Sequence, residues 1–137
     1  MRVKKKPKFI ERIPYDVEVI AKLTVDCANI VYENLGPGLK EKTYEKCLAH
    51  ELGKKGLTVK RQINLPVIYD GEHIDDKYRV DMLVENKLIV EVKSVERLAP
   101  LHRLQVKTYL KISDIRLGLL INFNTGCLPD SIERIRL

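Results

Sequence analysis

Three residues in this chain have the types and spacing for chemistry: Asp81, Glu91 and Lys93. Asp81 lies within Tyr78–Val84, and Glu91 and Lys93 lie within Leu88–Ser94. These two alternating stretches are separated only by Glu85-Asn86-Lys87. A hard divalent cation such as Mg²⁺ or Mn²⁺ takes oxygen ligands, typically one or two carboxylates, and fills its remaining positions with water and phosphate oxygens. A lysine beside such a pair can orient or deprotonate a water, or stabilise charge that develops on a phosphate.

The alternation determines how the two stretches would meet. Side chains point to opposite faces with a period of two, so Tyr78, Val80, Met82 and Val84 should share one face. Arg79, Asp81 and Leu83 should share the other. Matching apolar faces pairs Val84 with Leu88, Met82 with Val90 and Val80 with Val92. Asp81 then faces Glu91, and Arg79 faces Lys93. Directly opposed residues hold their Cβ atoms about 5 Å apart, and like charges there destabilise a sheet. Each carboxyl would have a raised pKa unless a cation sits between them. With 32% charged residues in the chain, a second reading stands beside the first. On that reading Arg79 and Lys93 neutralise two acids on a solvated sheet face.

The elements that must carry these residues can be read from periodicity. Val17, Ile20, Ala28, Val31 and Leu35 recur at helical spacing and predict a helix over 16–35, with Asp16 as its N-cap. Gly36-Pro37-Gly38 ends it. A second helix is expected over about 39–54, with Tyr44, Cys47, Leu48 and Leu52 on its buried stripe and Gly56 just beyond. Leu57, Val59 and Ile63 then alternate as one strand, and Leu65–Tyr69 reads as another, before the turn signal Asp70-Gly71. Pro100 opens a third helix that reaches about Ile112. The apolar run from Ile115 to Phe123 has the pattern of a strand buried on both faces. Ser131–Leu137 reads as a last edge strand. The segment from Leu88 to Phe123 is thus a strand–helix–strand crossover, which pairs its strands in parallel. The fold class is α/β.

A chain of 137 residues suits one domain. An apolar fraction of 45% fits a protein with a core. No apolar run approaches the roughly 20 residues of a transmembrane helix, and the basic start lacks the hydrophobic stretch of a secretory signal. The expected setting is therefore cytoplasmic. Three cysteines without a CxxC spacing argue against a disulfide framework or a zinc knuckle, and Cys27 and Cys47 fit helix faces as small hydrophobes. The net charge of +6 rests largely on Arg2, Lys4, Lys5, Lys6 and Lys8. Residues 1–12 read as a basic, flexible tail, and 13–137 as a nearly neutral domain. Such a tail suits non-specific phosphate contacts, and equally a solvated terminus.

Further segments complete a pattern. Gly38-Leu39-Lys40-Glu41-Lys42-Thr43-Tyr44 opens the second helix. Arg61-Gln62 and Leu65-Pro66-Val67 precede the hairpin. His102, Gln105 and Tyr109 share a face of the third helix, and Gly118-Leu119-Leu120-Ile121-Asn122-Phe123 follows. With Arg79-Val80-Asp81 and Glu91-Val92-Lys93, this ordered set resembles the GxxExxY family, a branch of the PD-(D/E)xK nuclease superfamily. The resemblance covers the chain from about Asp16 onward. It implies a restriction-endonuclease-like core, a central mixed β-sheet flanked by helices, and a metal-dependent nuclease acting on DNA more than on RNA.

It further implies that Asp81, Glu91 and the carbonyl of Val92 bind Mg²⁺ or Mn²⁺, that Lys93 assists the attacking water, and that Glu41 completes the acidic cluster. Gln105, Tyr109 and Lys107 would then face nucleic acid. Each has a plainer alternative: a first-turn charge for Glu41, interface packing for Gln105, solvated surface for Arg103, Lys107 and Lys111, and a structural role for His102. The superfamily's proline before the aspartate is Val80 here, which leaves the carboxylate in place. A catalytically silent binding module for nucleic acid or protein is the competing function, and a junction-cutting homodimer is a third.

Overall fold

The computed structural model describes residues 12–137, so the N-terminal tail expected over 1–12 lies almost wholly outside the described residues. Helices α1 (Tyr15–Leu35) and α2 (Glu41–Lys54) come first. Strands β1 (Val59–Tyr69), β2 (Glu72–Val84) and β3 (Leu88–Lys93) follow, then α3 (Pro100–Ser113), β4 (Leu117–Asn122), a 3₁₀ turn at Leu128–Ser131, and β5 (Ile132–Arg136). The strands form one five-stranded sheet in chain order. Only β3 and β4, the two joined through α3, run parallel, and all other neighbours are antiparallel. A mixed sheet flanked by helices is the architecture that the pattern predicts.

The helices cover opposite faces. Val17, Ala21, Ala28 and Val31 of α1 and Tyr44, Leu48 and Leu52 of α2 pack on Met82, Val84, Val90, Val92, Leu119 and Ile121. Val106, Tyr109 and Leu110 of α3 pack on Leu83, Ile89 and Leu120. Tyr44 stacks on Phe123 with ring centroids 4.5 Å apart and planes 6° from parallel. Its hydroxyl donates to the Gly36 carbonyl and accepts from the Leu39 amide, which pins the α1–α2 connection. Gly38 sits at φ +103 in that connection, where a side chain would be strained.

Several sequence expectations are corrected. Asp16 is not an N-cap. Pro14 occupies that position, and Asp16, inside the first turn, binds the Val17 amide and the Lys87 ammonium instead. The two strands expected over 57–69 are one continuous strand. β2 begins at Glu72, because the Asp70-Gly71 turn, with φ +52 and +78, closes directly into a Tyr69–Glu72 pair. The faces of β2 also differ from simple alternation, since Met82 and Val84 pack against α1 and α2 whereas Val80 packs on the α3 side. The partner strand inverts at the same level. Arg61 reaches α2, yet Ile63 and Leu65 join the α3 cluster, and between them Gln62 takes φ +53. One left-handed residue resets the period, and no periodicity reports it.

β4 lies directly under α3 at Gly118, where a Cβ would meet Val106 Cγ1 at 2.7 Å. Gly118→Ala is therefore expected to lower stability by about 1–3 kcal/mol through overpacking. The effect would be read as a reduced urea midpoint with an unchanged denaturant slope. A midpoint equal to that of the parent chain would mean that α3 does not sit this closely.

Candidate active site

The β2–β3 ladder runs through Val84–Leu88, Leu83–Ile89 and Met82–Val90. The expected Asp81–Glu91, Val80–Val92 and Arg79–Lys93 pairs all lie beyond its end, and Arg79 pairs with Asn64 of β1 on the other side of the strand. Where the ladder stops, side chains take over its hydrogen bonds. The Asp81 amide donates to Glu91 Oε1 at 2.8 Å, and the Val92 amide donates to Asp81 Oδ2 at 2.9 Å. Each acid thus serves the backbone of the opposite strand, and these bonds, not a continued ladder, hold the two acids together.

Burial makes this pair electrostatically expensive. Glu91 is 3% exposed, opposite Leu120 in the sheet. Desolvation first, and then the charge of Asp81, push its carboxyl from the ordinary 4.5 up to about 8, against the pull of the Asp81 amide and Lys93. Asp81 is also raised, mainly by burial and then by the charge of Glu45, while the Val92 amide, Lys93 and Gln62 oppose the shift. Lys93 has no ion-pair partner within reach among the described residues, so its charge stays available beside the two acids. Tyr109 of α3 is buried near them, and burial followed by the charges of Glu91 and Asp81 lifts its phenol to about 12.

Glu41 opens α2 and accepts the Ser94 amide at 3.1 Å, immediately past Lys93. It borders an open cleft of about 530 Å³ formed by residues 38–42, Ser94 and Asn124. Among the described residues no three His, Cys, Asp or Glu are grouped to hold a metal, so Glu41 is not drawn into one cluster with Asp81 and Glu91. Gln105 and Lys107 are exposed on α3. His102 Nδ1 accepts the Ala99 amide and caps that helix, its expected structural role. Arg103 leaves the basic stripe, because Glu133 of β5 binds it through two nitrogens, at 2.6 and 2.9 Å.

Glu45 escaped the sequence reading. It is 2% exposed on α2, one turn after Glu41. Arg61 donates to it from Nε at 2.9 Å and Nη2 at 2.7 Å, and Gln62 Nε2 from 2.9 Å. Breaking such a buried pair by removing one partner costs about 3–5 kcal/mol. The available signal was helical spacing, because residues 41, 45, 48 and 52 form a stripe in which an acid is conspicuous. Asn122, 4% exposed, accepts the Val95 amide and returns a bond to its carbonyl. It thereby fixes the segment that leaves Lys93.

A model of the PD-(D/E)XK nuclease superfamily matches residues 18–135. The chain belongs to that superfamily, and membership carries a nuclease-type function in general. Comparison with curated proteins and with solved structures found no match. No described helix is long and apolar enough to cross a membrane.

The raised carboxyls have a consequence for stability. Between pH 4.5 and about 8, folded Glu91 holds a proton that the unfolded chain has released, so stability falls as pH rises through that window. Glu91→Gln keeps an oxygen for the Asp81 amide and removes the ionisation. At pH 9 in chelator it should exceed the parent by about 1–3 kcal/mol. Urea unfolding from pH 4 to 9 checks this, and identical slopes for both proteins would refute it.

Proposed function

We propose that this protein is a divalent-metal-dependent nuclease of the GxxExxY branch, hydrolysing phosphodiester bonds in DNA in preference to RNA. The observation that carries the reading is the exchange between Asp81 and Glu91 across the end of the β2–β3 ladder, with Lys93 two residues beyond Glu91 on β3 and without an ion-pair partner among the described residues. Two adjacent carboxyls, Glu91 buried and Asp81 half-buried, fit the donor chemistry of Mg²⁺ or Mn²⁺. Asp81, Glu91 and the Val92 carbonyl would hold the ion, with Glu41 standing apart from them at the Ser94 amide. When bound, the ion supplies polarisation of the phosphate and a lowered pKa for a bound water.

This chain's own groups do the rest. Lys93 stabilises charge on the phosphate and orients the water. Tyr109 closes the α3 side of the pair and keeps bulk water from it. Gln105 and Lys107, exposed on the same helix, contact the nucleic-acid backbone. The domain is taken as 13–137, with residues 1–12 as a basic tail and the cytoplasm as its setting. A homodimer would serve a junction-cutting substrate, and light scattering reads that directly. A catalytically silent module binding nucleic acid or protein is the second reading, favoured by the near neutrality of the chain beyond its basic start, since nucleic-acid surfaces are usually strongly basic.

Two measurements decide between them. Titration calorimetry with Mn²⁺ should show binding to the parent chain and none to Asp81→Ala, and equal heats remove the metal site. Cleavage of plasmid, single-stranded and branched DNA with Mn²⁺ should be lost by at least about 100-fold in Lys93→Ala. Intact DNA with the parent protein establishes the silent module.

A further inference from the structure

Gln62 is a polar residue in the middle of a strand, yet its backbone sits at φ +53. A non-glycine residue in that region is strained, and such strain persists only where the surroundings impose it. Its neighbours pair normally, Arg61 with Met82 and Ile63 with Val80, so the departure is confined to the level of Asp81. The side chain explains the departure. Nε2 lies 2.9 and 3.1 Å from the two oxygens of Glu45 and 3.4 Å from Asp81 Oδ1. The amide is therefore directed between two carboxylates, and only its nitrogen can face them, because a flipped carbonyl would meet two acceptors. Arg61 balances Glu45 and holds it from the far side.

We infer that Gln62 is a positioning residue for Asp81, held in place by the Glu45–Arg61 pair. Asp81 Oδ2 is fixed by the Val92 amide and Oδ1 is steadied by Gln62, so the carboxylate has one orientation at the end of the ladder. Partners behind a ligating group set its orientation, and their loss typically weakens metal binding 10–100-fold. The inversion of strand faces at Gln62 follows from the same requirement. The backbone must turn to bring this amide to the α2 side while Ile63 and Leu65 remain under α3.

The metal arm of the test rests on the nuclease reading, and the amide arm does not. Gln62→Gly accepts the positive φ, so it should melt no lower than Gln62→Ala while lacking the amide. Both variants are expected to bind Mn²⁺ at least 10-fold more weakly than the parent by calorimetry. In nuclear magnetic resonance without metal, the Val92 amide, which donates to Asp81, should shift and exchange at least 10-fold faster in both. Asn64→Ala, exposed on the same strand, should leave both readouts at parent values. Unchanged Val92 exchange in Gln62→Gly overturns the inference whatever the metal result. If the parent chain binds no Mn²⁺, the nuclease reading falls, and faster Val92 exchange in the two variants still upholds the positioning role.

Discussion

Two carboxyl groups face each other where an antiparallel ladder ends, and the rest of the site is organised around that contact. Ordinary strand pairing would leave Asp81 and Glu91 repelling across the sheet. Here each carboxyl instead accepts the amide of the opposite strand, so the backbone remains bonded while the acids stay together. Burial beneath α3 then removes the water that would screen them, and the proton affinity of Glu91 rises accordingly. A pair in this condition responds strongly to protons.

The remaining elements keep the strands and acids from relaxing away. The Tyr44–Phe123 stack and the bonds of the Tyr44 hydroxyl set the start of α2, and Glu41 consequently lies at Ser94. Asn122 ties down the chain that leaves β3. Glu45, Arg61 and Gln62 buttress Asp81 from α2 and β1. Residues that are distant in sequence therefore converge on one end of the central strands. Part of the stability from two apolar clusters offsets the cost of the buried charge.

Much of this was legible in the residues. The helices over 15–35, 41–54 and 100–113 follow from apolar stripes, from Gly36-Pro37-Gly38 and from Pro100. The Asp70-Gly71 turn and the Met82–Val90 register follow from turn chemistry and from matching of apolar faces. A structural role for His102 and the hydrophobic burial of Cys27 were equally readable, although the capping bond itself was not. What failed were readings that assumed unbroken alternation or purely local partners. Val80 crossed to the other layer, Arg103 found Glu133, and Asp16 found Lys87.

The sequence by itself determined the kinds of element, their order and the adjacency of Asp81 to Glu91, because these depend on short-range periodicity and on one hairpin register. Only the tertiary structure decided that Glu45 stands behind Asp81, that Glu41 lies at Ser94 outside the central pair, and that the strands invert at Gln62. Those outcomes come from contacts between α2, β1 and the β2–β3 hairpin. Such contacts depend on how helices settle on a twisted sheet and leave no periodic trace in the chain.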